Sequence, residues 1–91
     1  MANYAGATIL LEMTLEVLRS RVFSVRAIRL EAVPGPLRPG NWRITWIDVL
    51  ALDYGRARDV ADELEAKGHW ILVPDGHPLE GRVFGKESLG G

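Results

Sequence analysis

The chain has 91 residues, of which 47% are hydrophobic and 25% charged, and its formal net charge is -1. This length suits one domain, residues 1–91, and the composition is that of a folded soluble protein. The absence of Cys excludes disulfide scaffolds and thiolate metal sites. No apolar run is long enough to span a bilayer, and the first residues lack the pattern of a secretory signal. We therefore expect a cytoplasmic protein that does not insert in a membrane.

The first predicted element covers Ala7–Val17. Five of its apolar residues fall on every second position, which is typical of a strand with one solvated face: Ile9, Leu11, Met13, Leu15 and Val17. A helix is the alternative, because Ile9, Met13 and Val17 are spaced by four, but a helix would turn Thr14 into the apolar stripe. The pattern favours a strand, and Leu18–Arg21 then forms a hairpin connection.

Two more strands are predicted before the middle of the chain. The apolar face of Val22–Val33 changes sides between Ala27 and Ile28, which indicates a β-bulge. Residues 33–41 contain three prolines and form a loop. Trp42–Leu52 is apolar at most positions on both faces, which is typical of a central strand buried on two sides.

The second half of the chain predicts one helix and one or two strands. The helix covers Asp53–Lys67, with Asp53 as N-cap and an apolar stripe at residues 57, 60, 61 and 64. His69–Val73 is a short apolar strand, and Asp75 with Gly76 forms a turn. Residues 82–84 add a possible short last strand, and residues 85–91 are a frayed tail.

These elements predict an α+β fold in the order β-β-β-α-β: a bent, mainly antiparallel sheet of four or five strands with one amphipathic helix packed on one face. One thin helix cannot cover both faces of such a sheet, and monomers seldom expose a large apolar patch. We therefore expect an assembly or binding module that buries a sheet face against its own copy, most simply as a dimer, or against another protein. The predicted interface residues are Phe23, Trp42, Ile44, Trp46, Arg26 and Arg43.

The first alternative is a small-molecule-binding protein or a modest enzyme with an aromatic-lined pocket. Trp46, Trp70 and Tyr54 are candidates for its walls, and His69, Asp75 and His77 are candidates for its polar groups. No catalytic motif accompanies them, so the sequence predicts neither an enzyme nor a cofactor. The two His residues match no metal-ligand spacing, so no metal site is predicted.

Nucleic-acid binding is the second alternative. Five Arg residues and three aromatic residues lie on the three predicted strands and the first connection between them, and basic groups beside stacking platforms hold single-stranded nucleic acid. The net charge and the lack of any nucleic-acid-binding signature argue against this use. The residues concerned are Arg19, Arg21, Arg26, Arg29 and Arg43, with Phe23, Trp42 and Trp46.

Overall fold

The computed structural model describes residues 2–33, 41–67, 70–81 and 83–84, which form two small sheets and two helices. Most of the predicted proline-rich loop, the predicted tail and His69 lie outside the described residues. A 3₁₀ turn at Ala51–Asp53 precedes the second helix. In chain order the elements are β1 (Ala2–Gly6), α1 (Ala7–Arg21), β2 (Ala27–Ala32), β3 (Trp42–Asp48), α2 (Tyr54–Lys67), β4 (Trp70–Val73) and β5 (Val83–Phe84).

The strands do not join into one sheet. In the first sheet β1 lies between β4, to which it is parallel, and β5, to which it is antiparallel. Strands β2 and β3 form a separate antiparallel hairpin. The α+β class is confirmed, but the prediction of a single, mainly antiparallel sheet of four or five strands with one helix is wrong.

The main error concerns residues 7–21, which form α1 and not a strand with a hairpin connection. The buried positions Leu10, Thr14 and Leu18 are spaced by four, whereas Ile9 and Val17 stay about half exposed. Both periodicities are present in the sequence, so the choice depends on what packs against the segment. Because α1 contacts β2, β4 and α2, the stripe spaced by four is the one that is buried.

The second and third predicted strands are shorter than expected. Strand β2 begins at Ala27, and the register shift lies between Arg29 and Leu30, not at Ala27–Ile28. Arg29 pairs with Trp46 and Leu30 with Ile44, so the residue between Ile44 and Trp46 is the extra one. Strand β3 ends at Asp48 and belongs to a two-stranded sheet, so it is not a central strand.

Within the described residues, the helix and the short strands predicted for the second half of the chain are confirmed, whereas Asp53 lies in the 3₁₀ turn and its carboxylate accepts the Ser24 hydroxyl. Helix α2 buries Ala57, Val60 and Ala61, and it carries two ion pairs spaced by four: Arg58–Asp62 at 3.0 Å and Lys67–Glu63 at 3.5 Å. Strands β4 and β5 lie at the predicted places. Within the described residues, neither helix has the length and apolar character needed to cross a membrane.

The two sheets are joined by side chains at the start of β3. The Asn41 amide donates from Nδ2 to the Leu72 carbonyl (2.9 Å) and accepts from the Leu72 N–H at Oδ1 (2.9 Å). Trp42 Nε1 donates to the Trp70 carbonyl (3.1 Å). Asn41 therefore takes the place of a neighbouring strand at the outer edge of β4. The larger of two buried apolar clusters contains residues of both sheets and both helices, and a smaller cluster of Tyr4, Ile71 and Val73 lies on β1 and β4.

Candidate interaction surfaces

Two of the predicted interface residues, Trp42 and Ile44, are core residues. Each is only 2% exposed. They lie on the face of the hairpin that packs against the helices, and their cluster includes Leu10 and Val60. Since the second helix supplies the cover that a one-helix fold lacks, neither side chain is available to a partner of the folded chain.

Four of the seven large apolar side chains that are exposed among the described residues lie on two neighbouring connections. Two of the four are almost fully exposed, Leu52 at 97% and Phe23 at 90%. Phe23 belongs to the connection between α1 and β2. Leu50 and Leu52 belong to the connection between β3 and α2, and Tyr54 is the first residue of α2. We name these residues the apolar tip: Phe23, Leu50, Leu52 and Tyr54.

Polar contacts hold the two connections of the apolar tip side by side. The Ser24 hydroxyl donates to the Asp53 carboxylate at 2.6 Å, and the Arg26 N–H donates to the Asp48 carbonyl at 2.8 Å. The Arg26 guanidinium also pairs with the Asp48 carboxylate at 3.2 Å. These contacts fix the two connections that carry the apolar tip relative to each other. Arg26, one of the predicted interface residues, makes two of these contacts.

The sequence patterns identified only Phe23 among the tip residues as part of an interface. Leu50 and Leu52 were expected inside a buried strand, and Tyr54 beside a pocket. One signal does place Leu52 outside the strand: a helix that begins near Asp53 requires the chain to leave the extended conformation before it. The exposure of Leu50 follows from the same early end of β3 at Asp48.

The other two predicted interface residues lie on the outer face of the hairpin. Trp46 is about half exposed, and the guanidinium carbon of Arg29 lies 5.8 Å from the centre of its ring. Arg43 lies 3.6 Å from the Glu65 carboxylate and donates to the Trp42 carbonyl at 2.7 Å. This face is thus mainly polar, with one aromatic ring.

Two of the outer strand edges, those of β3 and β4, carry hydrogen bonds from side chains. On β3, the Ile44 N–H donates to the Glu65 carboxylate (3.3 Å) and the Ile44 carbonyl accepts from Arg58 Nη1 (2.7 Å). Arg58 and Glu65 pair with each other at 2.7 Å. Asn41 covers β4 in the same way. Such cover prevents unwanted strand pairing, to which bare sheet edges are prone.

The outer edge of β2 has no such cover among the described residues. Leu30 pairs with Ile44, whose N–H and carbonyl are bonded to α2 and so point away from β2. In an antiparallel ladder, two opposed residues either exchange main-chain hydrogen bonds or both direct their N–H and carbonyl groups away from each other. The N–H and carbonyl of Leu30 therefore point outward too, and no described group bonds to them.

Two more residues share this orientation. The Val33 N–H donates to the Asn41 carbonyl at 2.8 Å, which makes the next pair, Ala32 with Trp42, an outward-pointing one. Since the extra residue of the ladder is in β3, β2 keeps its regular alternation, and Ile28 also points outward. We name these main-chain groups of Ile28, Leu30 and Ala32 the open β2 edge.

A groove of about 320 Å³ runs along the open β2 edge. Residues 28–30 form one wall, and Ala7, Thr8 and Leu11 at the start of α1 form the other. Trp46 and Leu72 complete the lining. Apart from the Arg29 guanidinium and the Thr8 hydroxyl, the groove is apolar in its side chains, as a site for an added strand needs to be.

The predicted pocket residues do not converge. Tyr54 is part of the apolar tip, whereas Trp70 begins β4 and Asp75 follows its end, roughly 16 Å along an extended chain. Trp70 lines a different cavity, of about 120 Å³, together with residues of α1 and α2. His77 accepts the Leu79 N–H at Nδ1 (3.0 Å), a hydrogen bond within the turn to which His77 itself belongs.

Asp75 instead caps helix α1. Its carboxylate accepts the Thr8 N–H (3.0 Å) and the Thr8 hydroxyl (2.6 Å), and these hydrogen bonds lower the pKa of Asp75 below its usual value. The close approach requires Gly6, because a Cβ there would lie 2.7 Å from Asp75 Oδ1 and closer still to the Glu80 carboxylate. Asp75 thus has a structural role.

The described residues contain no group of three His, Asp or Glu side chains that could hold a metal ion. The predicted strand-borne row of Arg residues is not formed either, because Arg19 and Arg21 lie in the last turn of α1. Arg21 pairs there with Glu63 at 3.0 Å and lowers the pKa of Glu63. Arg29 and Arg43 remain on the hairpin.

Comparison with known proteins gives this chain no relatives. No protein family matches the sequence, and no curated protein or solved structure is similar to it. The two surfaces, the apolar tip and the open β2 edge, are therefore the basis for the functional proposals.

Proposed function

We propose that this protein is a small assembly module that associates with a second copy of itself through the apolar tip. The observation that carries the proposal is the exposure of Leu52 and Phe23, which is 97% and 90% in the single chain. Large apolar side chains in this position lose contact with water only when another surface covers them. We also place the protein in the cytoplasm, since it has no Cys.

The charges at the base of the tip favour a second copy as the occupant. Arg26 and Asp48 neutralise each other in an ion pair, and Asp53 accepts the Ser24 hydroxyl. A surface with no row of like charges can meet itself about a two-fold axis without repulsion. Two-fold dimers are also the commonest soluble oligomers.

The expected affinity is low. Full burial of one Leu or Phe side chain contributes roughly 1.5–3 kcal/mol. A two-fold contact buries four such side chains from each copy, and the gain stays below the roughly 12–24 kcal/mol of full burial because Leu50 and Tyr54 are only partly exposed beforehand. The cost of association is about 4–15 kcal/mol, which leaves a surplus of a few kcal/mol. Association through the tip alone therefore belongs to the micromolar-to-millimolar range, and the measurement has to cover that range.

Light scattering across this concentration range tests the proposal. The wild-type average mass is expected to rise above the 10.1 kDa of one chain, and Leu52→Asp to lower it. Ile9→Asp is the matched control, because Ile9 is also an exposed apolar residue but lies in the first turn of α1, where an acidic residue is tolerated.

Three results would contradict the proposal. The first is a wild-type mass that stays at 10.1 kDa throughout, and the second is a higher mass that Leu52→Asp leaves unchanged. The third is sedimentation with phosphatidylcholine–phosphatidylserine vesicles that Leu52→Asp abolishes, which would assign the tip to a lipid surface. Urea unfolding of each variant checks that the fold is retained.

A further inference from the structure

We infer that the open β2 edge forms a second contact between copies, in which β2 pairs antiparallel with β2 of a partner subunit about a two-fold axis at Leu30. The hairpins of the two copies then form one four-stranded sheet. This contact lies on a different part of the chain from the apolar tip, and a different observation carries it.

The first argument is the contrast between strand edges. The outer edges of β3 and β4 are bonded by side chains: Arg58 and Glu65 in one case, Asn41 in the other. Three consecutive outward-facing residues of β2 have no such bonds within the described part of the chain. Because main-chain groups without partners favour strand addition, the β2 edge is the one of these three edges that is suited to pairing.

The second argument is register. With the axis at Leu30, this residue faces Leu30 of the partner subunit as a hydrogen-bonded pair, and Ile28 faces Ala32 of the partner subunit. Arg29 then lies opposite Glu31 of the partner subunit, in the pairs where side chains approach most closely. Every outward-pointing group of the open β2 edge is satisfied, and two Arg–Glu pairs form.

Other two-fold registers lack this complementarity. An axis at Arg29 would place Arg29 opposite Arg29 of the partner subunit, and an axis at Glu31 would place two Glu31 carboxylates together. Like charges directly opposite each other in a sheet are unfavourable. The charges of β2 thus favour the register with the axis at Leu30. A defined register is needed here because a shift by one residue would move apolar side chains to the other face of the sheet.

The groove fits the apolar face of the incoming strand. Ile28 and Leu30 lie on the core side of β2, so the same residues of the partner subunit would lie on that side too. There they meet Ala7 and Leu11 across a space of about 320 Å³. Arg29 and Glu31 remain on the outer face, where Arg29 has no ion pair within the described residues.

The experiment isolates this contact in the Leu52→Asp variant, in which the contact through the apolar tip is removed. There the light-scattering mass at high concentration is expected to be twice the 10.1 kDa of one chain. Adding Arg29→Glu, or Glu31→Arg, is expected to return it to the mass of one chain. The combined exchange of both residues restores Arg–Glu pairing and is expected to restore the dimer.

A backbone variant and a cross-link test the geometry. Ala32→Pro removes an N–H that points away from β3, so it is expected to weaken the dimer while urea unfolding shows the fold intact. The chain has no Cys, so Leu30→Cys introduces a single thiol, which is expected to form an intermolecular disulfide on oxidation. Ile9→Cys is the control that is expected not to do so.

The outcomes separate this inference from the proposed function. If Arg29→Glu lowers the light-scattering mass of the wild-type chain and Leu52→Asp does not, the result supports the β2 contact and contradicts the tip contact. If Leu52→Asp lowers this mass, and the charge exchange and Ala32→Pro leave it unchanged, the β2 contact alone is overturned. A folded Leu52→Asp chain that stays single at millimolar concentration also overturns it.

Discussion

At the scale of single residues, Asn41 has the largest structural consequence. One planar side-chain amide donates to and accepts from the main chain of Leu72, and so replaces the strand that β4 lacks on that side. Asn41 is a buried polar residue. A side chain that both donates and accepts is needed here, which restricts the position to Asn or a close equivalent.

Replacing Asn41 with Ala is expected to lower the free energy of unfolding by about 1–3 kcal/mol, because two main-chain groups of Leu72 lose their partners. Urea unfolding followed by circular dichroism measures the change. Thr45→Ala on the same hairpin is the control, since Thr45 is exposed and its hydroxyl bonds only the Glu31 carboxylate. Equal, small effects of both substitutions would contradict the role given to Asn41.

At the scale of elements, the start of α1 depends on a distant residue. Gly6 at the N-cap has no side chain to cap the helix, and the first turn has no acidic residue. Asp75 supplies both the acceptor and the negative charge from the turn after β4. Helix α1 and the parallel β1–β4 pair therefore stabilise each other.

This cap predicts a pH dependence. The pKa of Asp75 is lower in the folded chain than its ordinary value of 3.8, so its contribution to stability is present above that pH and is lost as the pH falls through the folded pKa. Asp75→Asn is expected to lower the thermal midpoint at neutral pH, with the difference from wild type shrinking below about pH 4.

Thermal unfolding measured as a series over pH tests this expectation. Asp59→Asn is the control, because Asp59 is an exposed carboxylate of α2. It is expected to leave the midpoint nearly unchanged across the series. A constant difference between wild type and Asp75→Asn at every pH would show that the charge of Asp75 does not contribute.

At the scale of the whole molecule, the two proposed contacts differ in physical character. The β2 contact includes exposed Arg29–Glu31 pairs, each contributing about 0.2–1 kcal/mol, whereas the apolar tip contact depends on burial of apolar area. Salt screens the first and not the second. Used together, the contacts allow each copy to join two neighbours, so the wild-type chain is expected to form species of more than two copies.

Salt therefore separates the two contacts. The Leu52→Asp dimer, held by β2 alone, is expected to dissociate several-fold more readily at about 0.5 M than at about 0.05 M sodium chloride. The Arg29→Glu dimer, held by the tip alone, is expected to keep its affinity and to gain affinity in sodium sulfate. Sedimentation equilibrium measures both constants, and the same salt response in both variants would contradict this assignment.

Local signals were sufficient where a segment carries one unambiguous pattern. Helix α2 has a single apolar stripe, and β4 is a short apolar run between turn residues, so both were predicted with nearly correct bounds. For residues 7–17 two periodicities overlap, and the sequence alone favours the wrong one. Of the surface residues, Phe23 was predicted, but Leu50 and Leu52 were hidden by the assumption that β3 continues through them.

The sequence by itself thus determined the α+β class, the second helix and the absence of disulfides, because these depend on composition and on neighbours a few residues apart. Only the tertiary structure decided that α1 is a helix, that Trp42 is buried and that the outer edge of β2 is left without partners among the described residues. These features depend on contacts such as Asn41 with Leu72 and Asp75 with Thr8, whose members lie 31 and 67 positions apart. No local pattern encodes such contacts, because both partners have to be placed before either one is satisfied.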